Sequence, residues 1–296
     1  MDTVEFFLQQ LGNGIILGSA YALVAIGLTL VFGVLGVINL AQGEIFMVGA
    51  FAGLVCLERG YGLTAALLAG GSVAGVLGLL IERLALRPLP ASADPHIRMV
   101  STIGVAVVIQ QLVTRIFSAR QHPYPTPEVL AGRVTMGPIQ FDLVNLFILV
   151  LAAVLMLVLT LLIRHTKLGI AIRAVAENPR TAAMMGINSG MVVPFVFAVS
   201  SALAGVAGVL VGMYFNNLGP FIGIPIGLKA LAAVIFGGLG SVGGAVAASL
   251  VIGVAEVMTV AYIASSWRDA VAFGIIIVAL MLRPSGLFGS KVSEKV

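Results

Sequence analysis

Asn39-Leu-Ala-Gln-Gly-Glu44 interrupts a chain of apolar residues that runs from about Leu11 to Leu35 and resumes to about Leu57. Its amides and its carboxylate stand where a membrane span should be purely apolar. A charge at the bilayer centre costs roughly 3 kcal/mol or more, so such groups usually face a cavity or a partner. Two readings stay open for Asn39, Gln42 and Glu44. They line an aqueous cavity or hold a discontinuous helix, or they cap a helix at the membrane interface, with Asn39 or Gly43 ending one element and Glu44 starting the next. In the first reading Glu44 is expected to accept hydrogen bonds from backbone N–H groups freed by the break, because such groups must be satisfied inside a membrane. It is not expected to hold a substrate charge.

The rest of the composition agrees with a membrane setting. Of 296 residues, 60% are hydrophobic and 9% charged, against about 25% charged in soluble domains. A soluble globule could not cover its surface with this composition, so the lipid bilayer is the solvent. The net charge of +4 is a loop property and implies no nucleic-acid partner. The single cysteine, Cys56, excludes an internal disulfide. Met1–Glu5 carries no Lys or Arg, which suits an uncleaved first span better than a signal peptide.

A helix needs about 20 apolar residues to cross the hydrocarbon. Spans are expected at roughly 11–32, 63–81, 99–117, 141–163, 190–213, 245–263 and 269–282, with shorter or broken runs at 44–57 and 227–239. The expected fold is a single all-α domain over 1–296: a polytopic membrane bundle of eight or nine helices, some interrupted by glycine. With Arg164–Arg180 inside, alternation puts Arg83, Arg87, Arg98, Arg164, Lys167, Arg173, Arg180, Arg283, Lys291 and Lys295 inside. Arg59, Arg115, Arg120, Arg133, Lys229 and Arg268 then lie outside. That bias puts the N-terminus outside and, with nine crossings, the C-terminus inside. If 227–239 only dips into the membrane, the C-terminus flips.

The 36 glycines suit close helix packing in lipid. Gly-x-x-x-Gly occurs at Gly14/Gly18, Gly49/Gly53, Gly71/Gly75, Gly208/Gly212 and Gly240/Gly244. Leu30–Gly36 and Val234–Gly240 share Phe, Gly, Leu and Gly at the same offsets, which hints at paired broken helices in two halves. Gly237, Gly240 and Ser241 are therefore pathway candidates beside Asn39, Gln42 and Glu44. Glu256 joins them: it lies in an apolar run with no basic residue near it in sequence, at a cavity, a helix contact or an interface.

Chemistry is scarce. Gly238–Gly243 fits the dinucleotide fingerprint in form, but its flanks are membrane-grade apolar runs, so no cofactor is expected. None of the lysines follows a glycine, so the phosphate-binding loop of an ATPase is absent, as is a Gly-x-Ser-x-Gly elbow. His96, His122 and His165 have no metal-ligand spacing, and no metal or catalytic residue is expected. The chain reads as a transport component and not as an enzyme.

The polar island Arg164–Asn188 is basic and rich in small residues. Asn178-Pro179 marks a helix boundary, after which Ala182, Ala183 and Gly186 give a short helix with a bare face. Such a face admits another protein's groove, with Arg173 and Arg180 placed to meet acidic rims.

At these residues the chain resembles the branched-chain amino acid permease family of ABC importers, in particular its smaller permease subunit. The resemblance rests on Asn39–Glu44, on Ala174-Val-Ala-Glu-Asn178 with Ala182, Ala183 and Gly186-Ile-Asn188, on Gly237–Gly244, and on the ending Arg283–Gly289. Gln42 stands where the family commonly has His. The resemblance implies a multi-pass protein of a bacterial inner membrane that translocates branched-chain or similar hydrophobic amino acids by alternating access. It implies an ATPase-coupling loop at about 164–188 with Arg173, Glu177, Asn178, Ala182, Ala183 and Gly186. The implied partners are a second homologous permease in a heterodimer, two cytoplasmic ATP-binding subunits that hydrolyse ATP, and an extracytoplasmic substrate-binding protein. Related permeases serve urea, short amides and other small organic solutes. An ion-coupled secondary carrier using Glu44 or Glu256 is the alternative of a different class.

Overall fold

The computed structural model describes residues 3–90, 94–136, 139–282 and 286. Arg283, Lys291, Lys295 and most of the ending Arg283–Gly289 lie outside the described residues. Among the described residues, six helices are long and apolar enough to span a membrane. They are α1 (Thr3–Leu35), α3 (Gly62–Ile81, continued by a π turn Glu82–Leu86), α4 (Pro95–Phe117), α5 (Leu143–His165), α8 (Ser189–Phe215) and α10 (Val242–Tyr262). Three apolar helices are shorter: α2 (Gln42–Glu58), α9 (Gly223–Gly237) and α11 (Arg268–Leu282). Two polar helices, α6 (Lys167–Glu177) and α7 (Pro179–Met184), make up the island between α5 and α8. Every expected apolar run falls on a helix, with most ends shifted by a few residues and the start of α1 by eight.

α1 is the axis of the bundle and is buried nearly all round. It runs antiparallel to α8, since Tyr214 Oη donates to Asn13 O near one end and Gly27 meets Ser200 near the other. It also runs antiparallel to α10: a Cβ on Gly14 would stand 2.6 Å from Val254 Cα, and one on Gly18 2.8 Å from Leu250 Cα. α9 is antiparallel to α10 too, through Gly237 against Gly244 and Lys229 against Glu256. α1 and α9 therefore run the same way, as the shared Phe-Gly-x-Leu-Gly pattern anticipates.

Glycine sets these approaches, because only a missing side chain brings two backbones this close. Gly49 of α2, Gly70 of α3 and Gly205 of α8 interlock, and a Cβ on Gly205 would collide with the Gly70 carbonyl. The pair Gly240/Gly244 does not pack as expected. Gly240 has positive φ (85°) and open space around it, and the contact runs instead from Gly244 to Gly237.

Some strand is present in an otherwise helical chain. β1 (His122–Pro123) pairs with β4 (Asn217–Leu218), and β2 (Arg133–Met136) pairs with β3 (Ile139–Asp142), both antiparallel. Gln9 binds Gln140 through both its side-chain amide and its carbonyl, which places this hairpin at the α1 N-terminal end. The loop that carries Pro123, Pro125 and Pro127 folds back onto the protein. Tyr124 is buried, its hydroxyl donates to Ala50 O at 3.2 Å, and its ring fills the space left by Gly212. Burial pushes its phenol pKa well above the ordinary value.

Gly205→Val should force α2, α3 and α8 apart and destabilise the protein by about 1–3 kcal/mol. Gly104→Ala, where nothing lies within 4 Å, should leave the melting temperature in detergent unchanged. Equal melting temperatures for both variants would contradict the packing.

Candidate functional site

The break of the first span is a discontinuous helix. α1 ends at Leu35, Gly36 takes positive φ (64°), and α2 begins at Gln42. Gln42 Nε2 donates to Ser200 O (3.2 Å) and Oγ (3.1 Å). Ser200 lies near the middle of the 27-residue α8, so α2 begins about halfway through the bundle. That depth agrees with the reading of a discontinuous helix. Asn39 closes the break: its Oδ1 accepts from Ala41 N at 3.1 Å and its Nδ2 donates to Gln42 Oε1 at 3.3 Å. Thr102 of α4 accepts from Leu40 N at 3.2 Å. Glu44 does not do the expected work. It is 2% exposed, and its Oε2 has no hydrogen-bond partner among the described residues.

Asn39, Gln42 and Glu44 line one cavity of about 270 Å³ between the break, α4 and α9. Gly43 sits where α2 and α9 begin side by side, and a Cβ there would collide with the Gly223 carbonyl. Gln110 of α4 lines the same cavity, and sequence reading overlooked it. It is a polar residue late in an apolar helix, the same signal that drew notice to Glu256.

Glu256 is not part of that cavity. It is fully buried, and it is not short of cations as its sequence neighbourhood suggests. Lys229 Nζ lies 2.9 Å from one carboxylate oxygen and Arg268 Nε 3.3 Å from the other, and Tyr21 Oη donates at 3.1 Å. Lys229 also reaches Asp269 at 2.8 Å. Lys229, counted with the outside charges, is buried in the bundle at 3% exposure. The signal was available, since a lone lysine and a lone glutamate occupy consecutive apolar helices. The cluster ties α9, α10 and α11 together under a second cavity of about 430 Å³.

Gly237, Gly240 and Ser241 come together with neither cavity. They form the α9–α10 turn, where Ser241 Oγ accepts from Gly244 N at 3.2 Å as the helix cap.

The polar island has the expected boundary. Asn178 caps α7, its Oδ1 accepting from Arg180 N (3.0 Å) and Thr181 N (3.1 Å). Gly186, with φ 84°, lets the chain leave the helix. One placement differs from expectation. Ala182 faces inward at 3% exposure, so the bare face is Ala183 with Met184 and Met185, which are 87% and 79% exposed. Arg173 is exposed and donates through Nη1 to Ile163 O at 2.6 Å, at the carbonyl end of α5. Glu177 and Arg180 remain exposed.

A broken span with buried polar groups, set in an apolar bundle that carries one amphipathic polar island, defines a multi-pass membrane permease. The chain belongs to the family described as the branched-chain amino acid transport system permease component, which matches residues 10–280. It is 35% identical to the high-affinity branched-chain amino acid transport system permease protein LivH of Escherichia coli K12, over 98% of both chains. It is 36% identical to the corresponding protein BraD of Pseudomonas aeruginosa, over 100% of both. A probable branched-chain amino acid transport permease of Methanocaldococcus jannaschii is 31% identical over 97% of this chain and 96% of its own. Among solved structures, PsaBC from Streptococcus pneumoniae in complex with Fab has the same fold at 13% identity, with a TM-score of 0.51 over 95% of this chain and 94% of that one.

Lys229→Met strands a buried carboxylate with one half-exposed partner, and should cost about 3–5 kcal/mol. Lys229→Met with Glu256→Gln restores charge balance and should recover most of the loss. Thermal melting in nanodiscs measures both, and an unimproved double variant would contradict a charge-balance role.

Proposed function

We propose that this chain is one permease subunit of an ATP-driven importer that translocates branched-chain or similar hydrophobic amino acids by alternating access. The observation that carries this is the match along nearly the whole length to permeases named for that transport, at about one residue in three. Hydrolysis of ATP belongs to two cytoplasmic partners. A second homologous permease completes the pore, and a binding protein delivers the substrate outside. The three short apolar helices complete nine crossings of a bacterial inner membrane, α2 with the help of the non-helical segment 36–41. Moving Lys229 into the bundle leaves five outside Lys and Arg residues where six were counted, which sharpens the bias toward the polar island's side. The N-terminus is then outside and the C-terminus inside.

Within this scheme Asn39, Gln42 and Glu44 lie on the pathway. Gly237, Gly240 and Ser241 form a permissive turn beside it, and Glu256 holds α9 to α10 and α11. The coupling surface is α7, with Ala183, Met184 and Met185 outward and Glu177, Asn178 and Gly186 shaping its ends. A carrier driven by an ion gradient would need no such surface. Copurification with ATPase subunits favours the importer, and gradient-driven uptake by the lone chain favours the carrier.

Ala183→Arg should insert normally, yet lose ATPase copurification and uptake, because a long charged side chain cannot enter a close-packed groove. Normal transport by this variant would overturn the coupling role. In a Cys56→Ser background, a cysteine at Val129 (85% exposed) should react with an impermeant thiol reagent in intact cells, and one at Met184 only after the membrane is opened. The reverse pattern would invert the orientation.

A further inference from the structure

The polar groups of the bundle interior fall into two kinds. Those around Glu256 balance in charge, Lys229 and Arg268 against Glu256 and Asp269, although Arg268 Nε makes no hydrogen bond. Those around the 270 Å³ cavity are not balanced. Glu44 is 2% exposed and Gln110 9%, and Glu44 Oε2 and Gln110 Nε2 are both buried without a hydrogen-bond partner. No Lys or Arg lines the cavity. In the first turn of α2, the N–H groups of Gly43 and Glu44 donate to no described group. Asn39 and Gln42, by contrast, spend their amides on each other, on Ala41 and on Ser200.

Unpaired buried polar groups are costly and rare in native structures. Here they form a complementary set. Glu44 is an acceptor that suits a cation. Gln110 and the N-terminal end of α2, which carries partial positive charge, are donors that suit an anion. The remaining wall is aliphatic, including Ile103, Val107, Leu228 and Leu231. A pocket of about 270 Å³ lies just below the usual range of ligand sites, which run from about 300 Å³ upward. An ammonium, a carboxylate and a short branched side chain on one carbon satisfy all three features together. A neutral amide or a sugar would leave Glu44 without a counter-charge.

We propose that this cavity is an intramembrane resting site for a zwitterionic aliphatic α-amino acid. Glu44 takes the ammonium, and Gln110 with the first turn of α2 takes the carboxylate. The assignment rests on the importer reading above, and it reverses the sequence-based expectation for Glu44. A lone carboxylate would select only the ammonium end, but the helix terminus beside it supplies the opposite sign.

The test uses the assembled transporter in nanodiscs without the binding protein, with leucine as probe. Leucine should raise the wild-type melting temperature. Glu44→Gln should melt normally without leucine, yet need at least about tenfold more leucine for the same rise, the loss of one charge-assisted contact. Gln110→Met should weaken the leucine effect several-fold. It should keep the response to 3-methylbutylamine, which lacks the carboxylate, and Glu44→Gln should lose that response. A wild-type leucine response in Glu44→Gln overturns the assignment while leaving the importer reading intact. If Glu44→Gln does not fold, Gln110→Met decides alone, and an unchanged leucine response sinks the proposal. Proteoliposome uptake is measured in parallel with the binding protein present. Absent leucine uptake by the wild type overturns the importer reading, and this site with it.

Discussion

Hydrocarbon offers a peptide group nothing to bond with, and each feature of this protein answers that constraint. Where the backbone stays helical the answer is internal. Where it leaves the helix, between Leu35 and Gln42, Asn39 accepts from Ala41 N, Thr102 from Leu40 N, and Ser200 from the side-chain amide of Gln42, while the N–H groups of Gly43 and Glu44 donate to no described group. The same constraint sets the terms for charge, so Glu256 is tolerated at full burial only because Lys229, Arg268 and Tyr21 converge on it.

Partners can converge like this only if the helices stand close. The glycine contacts of α1 with α10, of α2 with α3 and α8, and of α2 with α9 make that approach possible. Side chains of ordinary length then span from one helix to the next, and short amides suffice at the break. Glycine therefore acts here on electrostatics as well as on packing. It brings α2 and α9 to begin side by side, at the edge of the cavity that Glu44 and Gln110 line.

Much of this was legible in the chain itself. Long apolar runs specified the helices, and the polar interruption at 39–44 marked the broken one. Asn178-Pro179 located the start of α7. What stayed hidden depends on which residues meet across space. Lys229 and Glu256 each look like liabilities when read alone and become a pair only once α9 folds against α10. Ala182 and Ala183 are chemically the same, and only the fold decides that the first faces in and the second out. Gln110 gained meaning only beside Glu44. The Gly240/Gly244 spacing misled because it straddles the end of a helix, where a period of four no longer describes one face.

The start of α2 halfway through the bundle bears on how the protein is made. α1 and α3 are each apolar and long enough to enter the bilayer as they emerge from the ribosome. α2 is not self-sufficient in that way. Its first side chain, Gln42, is held by Ser200, 158 residues further along the chain, and its flank packs on Gly205. Until α8 has been synthesised and inserted, the leading hairpin must wait with its polar end unsatisfied, sheltered by water at the membrane surface or by the insertion machinery. Assembly in the membrane is thus ordered by a late arrival, and truncated chains ending before Ser200 lack the partner that lets α2 settle at depth.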